Sequence, residues 1–150
     1  MVSDKIYIPK YGWRVHFFYA VTCYHIDEIM NCLDKLECPD DFKKRAYENM
    51  SSCKLDSGIT YSNSKLKESV VVIGLTSSKK EFFNSFCHEK RHLEDHIAQT
   101  FGMQISGEEI AYLSGNLSGY LFESISPFLC QCECCKNKSG HGNKSRHTHK

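Results

Sequence analysis

His88-Glu89-Lys90-Arg91-His92 sets two imidazoles four residues apart with a carboxylate beside the first. In a helix, residues four apart stand on one face about one turn from each other, so both rings can reach a single metal ion. Zinc accepts neutral imidazole nitrogens at roughly 2.0–2.1 Å, and Glu89 is placed to take a proton from a water that zinc activates. The spacing therefore predicts a zinc site with hydrolytic potential, whose third ligand must come from elsewhere. The plain alternative is an exposed charged helix, because HEKRHLEDH is rich in opposite charges at four-residue spacing. His96 continues the series but lies about 12 Å of helix axis from His88, too far to share the same ion.

The flanking sequence supplies elements that would position the pair. Ser78 and Glu81 form an S-x-x-E capping box, and Phe82, Phe83, Phe86, Leu93 and Ile97 continue a helical stripe, which predicts a helix over 79–100. Ser106 and Glu109 repeat the box, predicting a last helix over 106–126 through Ile110, Leu113, Leu117 and Leu121, ending before Pro127. Glu108-Glu109-Ile110-Ala111-Tyr112 opens that helix, with 15 residues between His92 and Glu108.

With these residues in place, the segment from about 68 to 120 resembles the zincin metallopeptidases, in the gluzincin pattern of H-E-x-x-H followed by a glutamate on the next helix. It looks closest to small single-domain predicted zinc peptidases of bacteria and their phages. The resemblance implies one Zn2+ held by His88, His92 and Glu108, with Glu89 as the catalytic general base and a peptide or protein as substrate. Glu108 fits the family's E-x-x-A-D frame, with Tyr112 in place of the usual Asp, an acid that orients a zinc-bound histidine. Glu94, Asp95, His96 and Tyr112 are candidates to replace it. Glu108 is also favoured over Glu109 by the capping box, which would occupy Glu109. Glu108, Ala111, Gly115 and Gly119 share one small-residue face that could press against the histidine helix.

Upstream, WRVHFFYAVTCY predicts a buried strand over 13–24, with Phe17, Phe18 and Tyr19 in the core. Ile26, Ile29, Met30, Leu33 and Leu36 predict an amphipathic helix stopped by Pro39, and Asp40 and Asp41 open a second, polar helix. Residues 58–62 and 68–75 read as a hairpin, giving a mixed or antiparallel sheet. The expected fold class is thus α+β: a small zincin-like domain over 1–127, with a short twisted mixed sheet packed on the histidine helix and the following glutamate-bearing helix.

Residues 128–150 read as a disordered tail rich in Cys and His, with Cys130, Cys132, Cys134, Cys135, His141, His147 and His149 as possible soft-metal ligands. A formal charge of +1 on 150 residues offers no field to hold a polyanion, so no nucleic-acid partner is expected. The amino-terminal residues lack the order of a signal peptide and no stretch reaches the ~18 apolar residues of a membrane span, so no membrane contact and a cytoplasmic location are expected. In that setting Cys23, Cys32, Cys38, Cys53 and Cys87 are read as reduced, mostly buried thiols. A catalytically inactive, zinc-stabilised interaction domain is the competing function.

Overall fold

The computed structural model describes residues 1–130 and forms a small α+β fold, with four helices and a four-stranded mixed sheet. In chain order these are β1 (Val2–Ile8), β2 (Trp13–Val21), α1 (Ile26–Lys35), α2 (Asp40–Ser51), β3 (Gly58–Asn63), β4 (Glu68–Gly74), α3 (Lys79–Phe101) and α4 (Glu108–Leu129). The sheet order is β1-β2-β4-β3. β2 and β4 run parallel at its centre, and β1 and β3 flank them antiparallel. β3 is therefore an edge strand.

The strands at the centre are buried on both faces, which is why β4 reads as the unbroken run Val70–Ile73. In β2, Trp13, Val15, Phe17 and Tyr19 point to one face and join the apolar stripes of α3 and α4. Phe18 and Val21 point to the other and meet Ile29 and Leu33 of α1 and Ala46 and Met50 of α2. A register shift between Phe18 and Val21 accompanies a positive φ of 53° at Ala20. Two helical layers thus enclose one sheet, each sealing its own hydrophobic cluster.

Several expectations are revised. β1 has no counterpart in the sequence reading; its exposed polar side chains carry little hydrophobic signal, and it is fixed by pairing with β2 from Val2 to Ile8. The predicted strand over 13–24 ends at Val21, and Cys23–His25 forms a single 3-10 turn. α4 runs through Pro127 to Leu129 instead of ending before it. The proline removes one donor near the helix end, and the Ser126 hydroxyl donates to the Glu123 carbonyl so exposed, at 3.3 Å. Phe128 then stacks on Phe82 with ring centroids 4.5 Å apart, so the folded unit passes the expected boundary at 127. Cys23 and Cys53 form a disulfide with Cα atoms 5.4 Å apart, correcting their reading as reduced thiols. Cys38 is buried, whereas Cys32 is only half-buried and Cys87 is exposed. Cys132, Cys134, Cys135 and the tail histidines lie outside the described residues.

Candidate functional site

α3 begins as its sequence requires: the Ser78 side chain accepts from the Glu81 backbone N–H at 3.1 Å. It ends at Gly102, in the left-handed conformation with φ 64°. Between these caps Phe82, Phe86, Leu93 and Ile97 face the core, which fixes the rotation of the helix and hence where its polar residues point. Phe83 stands half exposed, off the stripe expected of it. His88 and His92 are exposed, on the side away from the core.

The two histidine rings are brought together, with Nε2 atoms 3.2 Å apart and ring centroids 4.8 Å apart. Two nitrogens each roughly 2.0–2.1 Å from one tetrahedral ion would stand about 3.3 Å from each other. The pair therefore fits a shared zinc ion without rotation of either helix turn. Glu89 is buried at 6% exposure and faces β3. Its Oε2 accepts from the Thr60 hydroxyl at 2.6 Å, and the same hydroxyl lies 3.2 Å from the Glu89 carbonyl. Gly58 completes the seat: a Cβ there would stand 2.6 Å from Oε1 of Glu89, so only a residue without a side chain leaves that oxygen its space.

Glu108 is not brought to the histidines. Among the described residues, no three His, Cys, Asp or Glu side chains gather as a metal ion would require. The cause lies in the rotation of α4, which packs through Ile110, Leu113, Leu117, Leu121 and Ile125. Glu108, Ala111, Gly115 and Gly119 lie on the opposite, exposed face, so the small-residue stripe meets solvent and does not dock on α3. The expected Ser106–Glu109 capping box also does not form. Gly107 is the N-cap, and Glu109 instead accepts from the Tyr11 hydroxyl at 3.2 Å. Beside the shared apolar cluster, Lys90 adds a polar contact between α3 and α4: it is buried, ion-paired with Glu94 and hydrogen-bonded to Ser114 at 2.9 Å.

Of the four candidates to orient a histidine, none hydrogen-bonds His88 or His92 among the described residues. Glu94 is 1% exposed and engaged by Lys90 and Arg91. Asp95 pairs with Arg91, and Tyr112 is exposed. His96 turns toward β3, where its Nδ1 lies 2.7 Å from the Ser62 hydroxyl. Burial and then the neighbouring His92 hold the His96 pKa below the ordinary histidine value, with Asp95 opposing. Sequence reasoning missed Gly58, Thr60 and Ser62. Their period-two spacing on a predicted strand placed them on one face, but which helix that face would meet was not encoded locally.

In comparisons with known proteins, no family model, no curated protein and no solved structure matches this chain.

Proposed function

We propose that the chain is a zinc-dependent peptidase of the H-E-x-x-H type, with His88 and His92 holding the metal and Glu89 acting as general base. The carrying observation is the 3.2 Å separation of the two Nε2 atoms on one face of α3. Bound zinc would supply Lewis acidity to polarise a scissile carbonyl. Glu89 contributes a carboxylate whose Oε2 is fixed by Thr60, leaving Oε1, beside Gly58, as the oxygen to take a proton from water and return it to the leaving amine. The free edge of β3 runs alongside and suits an extended peptide. The zincin-like reading of the fold rests on the same arrangement of an edge strand beside the histidine helix.

The reading requires a third ligand, and Glu108 fills that role only if the start of α4 turns relative to α3. This favours a second reading: a zinc-binding interaction domain without turnover, in which two histidines form a surface chelate and Glu89 is a buried structural carboxylate. Zinc content and peptide hydrolysis of the full chain, of its Glu89→Gln variant and of Glu108→Ala separate the two. A peptidase binds one zinc per chain, loses hydrolysis in Glu89→Gln while keeping the metal, and loses zinc affinity in Glu108→Ala. A binding domain hydrolyses nothing, and Glu108→Ala leaves its zinc affinity unchanged. Zinc retained in His88→Ala/His92→Ala would overturn both, provided the protein also lacks its residues after 130.

A further inference from the structure

A chain of hydrogen bonds crosses from the core to the surface beside the histidine pair. Trp13 Nε1 donates to Ser69 Oγ at 2.8 Å, Ser69 Oγ lies 2.7 Å from Ser62 Oγ, and Ser62 Oγ lies 2.7 Å from His96 Nδ1. The direction of the protons follows from the chemistry of its ends. An indole N–H only donates, so Ser69 must accept from Trp13. Ser69 is fully buried, and Ser62 is the one acceptor within reach of its hydroxyl proton among the described residues. Leaving that proton unpaired would carry the full cost of a buried unsatisfied donor. Ser69 therefore donates to Ser62, whose own hydroxyl proton has His96 Nδ1, 2.7 Å away, as the acceptor within reach among the described residues. A neutral imidazole that accepts at Nδ1 carries its proton on Nε2.

We propose that His96 is a substrate-binding residue: a neutral imidazole locked by Trp13, Ser69 and Ser62 with its proton on Nε2, which donates to a carbonyl oxygen of a peptide beside β3. The choice of a peptide rests on the function proposed above, whereas the locked ring does not. The ring lines an open cleft of about 580 Å3, whose walls include Thr60, Tyr61 and Ser62 of the edge strand, Phe42 of α2 and Gln99 of α3. Its Nε2 has no hydrogen-bond partner among the described residues and is not sealed from solvent. The cleft thus presents a donor of fixed polarity next to a strand edge with unpaired backbone groups, the combination that reads a peptide carbonyl. His96 also lies one helical turn from His92, so a peptide held there would extend toward the histidine pair.

The test is made on the metal-free, 15N-labelled full chain, so that turnover plays no part. Two-bond 1H–15N correlation of the imidazoles should show His96 with a protonated Nε2 and a bare Nδ1, and Ser62→Ala or Ser69→Ala should mix the two tautomers. A capped hexapeptide of alternating threonine and valine, added to millimolar concentration, should then shift the Nε2 resonance. His96→Phe should weaken that binding roughly three- to tenfold, the effect of one neutral hydrogen bond. A ring protonated on Nδ1, a peptide that leaves Nε2 unmoved, or equal affinity in His96→Phe would each overturn the proposal. Loss of hydrolysis or of zinc binding in separate assays would remove the peptidase reading and leave the tautomer result standing.

Discussion

At the scale of single residues, the site depends on how tightly Glu89 is seated. Its carboxylate is largely shielded from solvent and Oε2 has one close side-chain donor, Thr60, so Thr60→Val leaves that oxygen without its partner. That variant is expected to lose about 1–3 kcal/mol of stability, read as a lower urea midpoint with an unchanged slope. Gly58→Ala acts from the other side, because its methyl group would stand 2.7 Å from Glu89 Cγ and 2.6 Å from Oε1. A destabilisation of about 1–3 kcal/mol is expected from this overpacking. The two positions touch the same side chain, so the cost of Gly58→Ala should largely disappear in a Glu89→Ala background. Equal costs in the two backgrounds would show that Glu89 is not what fills the space beside Gly58.

At the scale of elements, the docking of α4 on α3 decides what the histidines can recruit. The buried Lys90–Glu94 pair of α3, with Ser114 of α4 bonded to Lys90, adds a polar tie to the apolar packing between the two helices. Lys90→Met leaves the buried Glu94 carboxylate with the half-exposed Arg91 as its remaining charge partner, so it is expected to cost about 1–3 kcal/mol, whereas Lys90→Met combined with Glu94→Leu should be close to neutral. Thermal unfolding of the three proteins checks this, and a double variant as unstable as the single one would mean that the pair itself is net stabilising. The same pair shows where local sequence information stops. The helix Lys79–Phe101 is legible because its cap at Ser78 and its apolar stripe lie in one continuous stretch of sequence. The rotation of α4 is not, since the small-residue face of Glu108, Ala111, Gly115 and Gly119 and the larger apolar stripe both offer a packing surface. The sheet chose the stripe, burying Ile110, Leu113, Leu117 and Leu121, because larger side chains remove more apolar area from water. Hence the two histidines were readable as a pair and the third ligand was not readable as a contact.

At the scale of the whole molecule, the disulfide is the feature that bears on both stability and setting. Cys23 follows β2 and Cys53 follows α2, so the bond closes a loop with a sequence separation of 30 that contains both helices on one face of the sheet. Constraining a loop of that length in the unfolded chain contributes roughly 3–4 kcal/mol on the chain-entropy account. Such a bond is at odds with a reducing compartment, which counts against the cytoplasmic expectation. No helix among the described residues is long and apolar enough to cross a membrane. The histidine pair lies on the other side of the sheet, and the segment leading into β3 has supports of its own: Asp56 N–H donates to the Leu75 carbonyl at 3.0 Å, and its side chain accepts from the Ser77 N–H and hydroxyl at 2.8 Å. Reduction should therefore loosen the layer of α1 and α2 without disturbing Gly58, Thr60 or the residues of α3 that they meet. Cys23→Ser/Cys53→Ser is expected to lower the melting temperature by roughly 10–15 °C while leaving unchanged the zinc affinity proposed for His88 and His92. A variant that melts with the parent protein would show that the bond does not constrain the unfolded chain. A variant that loses zinc along with stability would show that the two faces of the sheet are not mechanically independent.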